Sequence, residues 1–177
     1  MGGSLELHEL LTKKKTIGEW RLTEELTPVI DRLVQRDALL RFMDSVLKYI
    51  DEEVARYEYY ALTRIDKYAT SITIHEILVA MREYINPERA IMKVLEYPIA
   101  SMFNEILYKY HELLEEREER EKEKIDKEIN KYISVLIEYA ERYPHLVVKG
   151  LITFADMAAD AVKDVKEEID IYGHPLM

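Results

Sequence analysis

No glycine occurs between Gly18 and Gly150, and that gap restricts the chain more than any motif it carries. Glycine supplies the positive-φ backbone that tight hairpin turns and phosphate-cradling loops require. A long stretch without it has few ways to reverse a strand or to build a nucleotide loop. P-loop, dinucleotide-fold and nucleophile-elbow chemistry are excluded on this ground, since each needs glycine at fixed offsets. Proline is as scarce, at five residues, while the strong helix formers Glu, Lys, Leu, Ala, Arg and Met dominate. The reading is all-α: an antiparallel bundle of about four long helices plus short connecting helices. Residues 1–26 read as an N-terminal segment with a short helix and a basic linker, and residues 27–177 as a single helical-bundle domain.

The few prolines mark helix boundaries, because proline suits a first helical turn and disfavours helix in the residue before it. Thr27-Pro28 opens a run to Ala69 free of Gly and Pro. Along it Leu40, Met43, Leu47, Ile50, Val54, Tyr57, Ala61, Ile65 and Tyr68 recur at spacings of three or four, one face of a helix. At about 1.5 Å per residue this run would span roughly 60 Å, so a break is expected over residues 35–38, where Arg36 and Asp37 interrupt the stripe. Thr73 and Glu76 have capping-box spacing and predict a short helix to Ile85. Asn86-Pro87-Glu88 caps a second short helix ending at Glu96, with Tyr97-Pro98 as the next junction.

From Ile99 to Tyr143 two apolar stripes follow: Ile99, Phe103, Ile106, Tyr110, Leu113, and then Ile125, Ile129, Tyr132, Leu136, Tyr139, Tyr143. The step from Leu113 to Ile125 is twelve residues, where a continuing heptad seam needs eleven or fourteen. The wholly charged stretch from Glu115 to Lys124 lies between them. Its i, i+4 pairs Glu116–Arg120, Glu118–Lys122 and Glu123–Lys127 support helix even in full solvent. Two geometries follow, a hairpin turning near residues 117–124 or one continuous helix projecting as a charged arm, with the hairpin favoured by ordinary helix lengths. After Pro144, Val147, Leu151, Phe154, Ala158, Ala161, Val165 and Ile169 trace an amphipathic final helix that Gly173-His174-Pro175 ends.

Chemistry is harder to find. Cysteine is absent, which removes disulfides, thiolate metal sites and cysteine nucleophiles. The Glu-x-x-His element of helical di-iron sites does not occur; His111 with Glu115, and His145 with Glu141, are at best lone pairs. Glu52-Glu53 and Glu167-x-x-Asp170 have the look of two halves of a magnesium site, yet acidic pairs are common in a chain with 35 Asp and Glu. No motif calls for a cofactor. No stretch reaches the roughly 18–20 apolar residues of a membrane span, so no membrane is expected and the cytoplasm is the simplest location. Side-chain amides are confined to Gln35, Asn86, Asn104 and Asn130, a composition associated with heat-adapted proteins.

Two surface elements stand out. Tyr57, Tyr59 and Tyr60 sit on successive faces of one helix, so they cannot all enter one core, and an outward tyrosine suits a protein interface. Lys13, Lys14, Lys15 and Arg21 surround Trp20, a basic patch in a chain whose formal net charge of −10 repels a phosphate backbone. The expected function is a non-enzymatic helical interaction module, subunit or regulator of a larger assembly, with a protein partner or self-association. The alternatives are a small helical subunit of a nucleic-acid-processing complex, contacting it through the basic segment, and, disfavoured, a metal-dependent helical enzyme.

Overall fold

The computed structural model describes residues 23–70 and 87–176 and the single positions 79 and 82, with side chains from Glu25 in the first stretch and from Val94 in the second. The helices are α1 (Thr23–Arg32), α2 (Arg36–Val54), α3 (Glu58–Thr70), α4 (Pro87–Glu115), α5 (Glu119–Arg142) and α6 (Pro144–Tyr172), with one turn of 3₁₀-helix, Ala55–Tyr57, between α2 and α3. Among the described residues no strand occurs and no helix is long and apolar enough to cross a membrane. The short helix expected from Thr73 lies largely outside the described residues, as does most of the N-terminal segment.

The first break falls at Leu33–Gln35, just ahead of its expected place. Leu33 (φ 48°) and Val34 (φ 66°) are both left-handed. Val34 N–H donates to the Val29 carbonyl and Leu33 N–H to the Ile30 carbonyl, each at 3.3 Å, the paired closure that helices usually make on a glycine. Without one, each residue bears a cost of roughly 1–2 kcal/mol. Val34 offsets it by burial to 2% exposure, since burying a valine is worth about 1.5–3 kcal/mol. Beyond the break the Arg36 guanidinium donates to Asn130 and to Asp126, the latter at 2.5 Å, tying the start of α2 to α5. The second break, where Val54 leaves helical geometry at φ −133°, is marked by neither Gly nor Pro and was not expected. The stripe survives both: Met43, Leu47, Ile50, Val54, Ala61 and Ile65 are buried, with Leu40, Tyr57 and Tyr68 packed at the margin.

Two expected proline boundaries are overturned: Thr27-Pro28 lies inside α1, and there is no junction at Tyr97-Pro98, because α4 runs unbroken from Pro87 to Glu115 with Pro98 inside it. A proline in a helix interior forfeits one hydrogen bond and crowds the preceding turn, a cost of about 3 kcal/mol. Here its neighbours Ile99, Ala100 and Phe103 are buried, and two large apolar side chains at about 1.5–3 kcal/mol each outweigh it. Of the two geometries for 99–143 the hairpin is observed. The connection is Glu116–Glu118, with the Glu116 carboxylate accepting the N–H groups of Arg117 (3.0 Å) and Glu118 (3.2 Å). The charged stretch is the tip of this hairpin, and Lys122 pairs with Glu119 at 3.6 Å in place of the expected Glu118. The second stripe is also corrected: α5 buries Ile125, Ile129, Ile133, Leu136 and Ala140. Tyr139 and Tyr143 are 40% and 49% exposed, on the neighbouring side where a phenol keeps its hydroxyl in water.

The final helix is more than amphipathic. From Leu146 to Val162 α6 is buried on nearly every face and packs against α2, α3, α4 and α5, the pattern of a helix at the centre of its neighbours. Phe154 stacks its edge on Phe42 at 6.4 Å and lies tilted against Phe103 at 6.3 Å. Gly150 meets Ile99 of α4 so closely that a Cβ would lie 2.3 Å from Ile99 Cγ2. The helix ends as expected on Gly173 (φ 79°), whose N–H donates to the Ile169 carbonyl at 2.8 Å.

Candidate functional site

The 3₁₀ turn delivers the chain into α3 with its tyrosines fanned around the axis. Tyr57 packs at the core margin, Tyr60 is half-buried, and Tyr59 is 74% exposed. Tyr60 meets both partners edge-to-face, Tyr57 at 5.9 Å and Tyr59 at 6.3 Å. The three rings thus form a chain from core to solvent, and the outermost has its orientation set from beneath. The split expected from three tyrosines on successive faces is observed.

The surroundings of Tyr59 carry no signal in the sequence. Three contacts set α3 antiparallel to α4: His111 Nε2 lies 3.3 Å from a Glu58 carboxylate oxygen, Asn104 Nδ2 donates to Asp66 Oδ1 at 3.0 Å, and Ser101 Oγ donates to the Ala69 carbonyl at 2.7 Å. Along the outer edge of this seam α3 contributes Tyr59, Thr63 and Asp66, and α4 contributes Glu105, Tyr108, Lys109 and Glu112, around a cleft of about 380 Å³. Both sets repeat at three- and four-residue steps, so each is a single helix face.

The cleft is negative. Lys109 is its one cation among the lining residues, and its Nζ is engaged by Glu128 of α5 at 2.8 Å and by Glu112 at 3.8 Å. Hydrogen bonding to Glu128 holds the Lys109 ammonium above its ordinary range. The Tyr108 phenol is pushed up to about 12, first by burial and then by the Asp66 carboxylate, with Tyr59 and Glu105 adding to it. Asn104, 1% exposed, steadies Asp66 from behind, while its own Oδ1 has no hydrogen-bond partner among the described residues.

A second cluster joins α3 to α6 and the C-terminal tail. The Arg64 guanidinium donates to both Glu168 oxygens, at 2.5 and 2.9 Å, and to the Leu176 carbonyl at 2.8 Å; Leu176 N–H returns a bond to Glu168 at 2.7 Å. Tyr68 hydroxyl donates to Asp164 one turn away. Arg64 holds the Glu168 carboxyl below its usual range, and burial with Asp164 pushes the Tyr68 phenol up to about 12. These bonds hold the tail on the bundle, and in the hollow of about 490 Å³ beside them the lining side chains Arg64, Tyr68, Asp164 and Glu168 are already engaged with one another. A third hollow, of about 420 Å³, lies along the end of α5 by Tyr139 and Tyr143.

Of the residues singled out from sequence, Tyr57, Tyr59 and Tyr60 are brought together. Lys13, Lys14, Lys15, Trp20 and Arg21 lie outside the described residues. His111 does meet Glu115, at 3.5 Å, with Glu58 as its second carboxylate. Glu53, half of the imagined magnesium pair, accepts from Lys166 Nζ at 2.7 Å. Among the described residues no three His, Asp or Glu side chains gather as a metal-binding group. No known protein family, curated protein or solved structure matches the chain significantly.

Proposed function

We propose that this protein is a non-enzymatic helical interaction module, a subunit or regulator that holds another protein against the α3–α4 face. The observation that carries the reading is Tyr59, an aromatic ring 74% exposed yet braced by Tyr60 at 6.3 Å. Tyrosine offers a large contact area with only two side-chain torsions to freeze, and a ring already oriented loses less entropy on binding. Interfaces concentrate their energy in such residues. The bundle beneath is the rigid part, and the cysteine-free composition suits a reducing cytoplasmic compartment.

The test is affinity capture from the native host with the wild-type chain and with Tyr59→Ala. The wild type is expected to retain one protein in stoichiometric amount, and the variant to lose it while keeping an unchanged thermal midpoint. Retention of the same protein by both chains, or by neither, rejects the reading. Retained nucleic acid that salt releases would support the nucleic-acid alternative instead.

A further inference from the structure

We infer that the cleft between α3 and α4 receives a lysine or arginine side chain of the partner protein, an inference that rests on the interaction-module reading and names the chemistry of its contact. The size fits: about 380 Å³ is near the lower end of the roughly 300–1,000 Å³ of small-ligand sites, room for one long side chain and little more. The charge fits as well. Asp66, Glu105 and Glu112 line the cleft against Lys109, whose ammonium is already bonded to Glu128, so the lining keeps an excess of negative charge for an incoming cation.

The walls distinguish this from a mere patch of acids. Tyr59 and Tyr108 stand on opposite helices at the cleft, and a cation over a tyrosine face gains from the ring quadrupole in addition to the carboxylates. An aliphatic stem would lie along the rings while its charged head reached the acids, as long basic side chains do on amphipathic surfaces. The phenol of Tyr108 feels the same field, since Asp66 and Glu105 both disfavour its ionisation. A neutral or acidic partner segment gains nothing from this arrangement.

The experiment titrates the full chain with the acetylated peptide amide Gly-Arg-Ser-Lys-Gly and with its neutral counterpart carrying citrulline and norleucine, following tyrosine ring resonances. The basic peptide is expected to move the Tyr59 and Tyr108 signals saturably, and the neutral one to leave them in place. Tyr59→Ala and Asp66→Asn, the second of which keeps the acceptor that Asn104 uses, should each weaken binding about tenfold. Lys109→Gln should strengthen it several-fold, because it removes the competing cation; a purely structural role for these residues would not produce that sign. Equal binding of the two peptides, binding untouched by Asp66→Asn, or displacement by free spermidine at lower concentration than peptide would each overturn the inference. The capture experiment separates it from its premise. A protein lost with Tyr59→Ala but kept with Asp66→Asn and Glu105→Gln leaves the module and removes the cation, whereas peptide binding with no captured protein removes the module alone.

Discussion

At Gly150 the backbone of α6 approaches α4 so closely that an added Cβ would lie 2.3 Å from Ile99 Cγ2 and 2.6 Å from Ile99 Cβ. Gly150→Ala is therefore expected to destabilise the protein by about 1–3 kcal/mol even though alanine is the better helix former, seen as a lower denaturant midpoint. Adding Ile99→Ala should return part of the loss, and strictly additive effects would show that the two sites are uncoupled. Two tyrosines offer an alkaline counterpart. Tyr68 and Tyr108 are pushed up from 10.0 to about 12, so the fold prefers them neutral. Their contribution to stability is whole below the ordinary value and is lost as pH rises from there through about 12. Tyrosinate absorbance should show a late-ionising pair, one member disappearing in Tyr68→Phe and the other in Tyr108→Phe. At the acid end Glu168 works in the opposite sense. Its value is lowered from 4.5 by Arg64, so its contribution is present above that value and is lost as pH falls through the depressed one.

α4 shows how burial overrides a local rule. Pro98 is exposed within it while the neighbouring Ile99 and Ala100 are buried, so Pro98→Ala should restore a hydrogen bond without disturbing packing. A gain of about 1–2 kcal/mol is expected after allowing for the stiffer unfolded chain that proline provides, measured as a raised denaturant midpoint; a loss would mean that the ring itself packs. The same conflict explains what the sequence concealed. Proline marks a boundary in sequence because its cost is local, whereas the apolar neighbours that overcome it act through other helices. The break after α1 was found nearly in place because Arg36 and Asp37 disturb the stripe. Its closure by Leu33 and Val34 was invisible, since neither residue favours a left-handed backbone. The hairpin of α4 and α5 was signalled by a phase step between stripes, a property of the chain alone. The α3 half of the candidate site was legible in three neighbouring tyrosines. The α4 half was not, because Glu105, Tyr108, Lys109 and Glu112 are an ordinary polar helix face until the Asp66–Asn104 contact sets the register that places them opposite Tyr59.

For the molecule as a whole, the buried side chains of the described helices form one cluster into which each contributes, and unfolding should be a single cooperative transition. The amide-poor, ion-rich composition leads us to expect a thermal midpoint above the roughly 45–65 °C of ordinary domains, with calorimetry as the check; a midpoint inside that range would argue against heat adaptation. Cross-links between helices, Arg36 to Asp126, Lys109 to Glu128, Lys166 to Glu53 and Arg64 to Glu168, suit that setting, because the cost of desolvating charges falls as temperature rises. The position of α6 has a further consequence, for the order of events at the ribosome. The helix against which α2, α3, α4 and α5 all pack follows every one of them in the chain, so α2 through α5 emerge with their apolar faces open and no centre to close upon. Until Pro144–Tyr172 has left the exit tunnel the preceding helices are an adhesive set, at their most vulnerable to aggregation, and the bundle closes only once that segment has emerged.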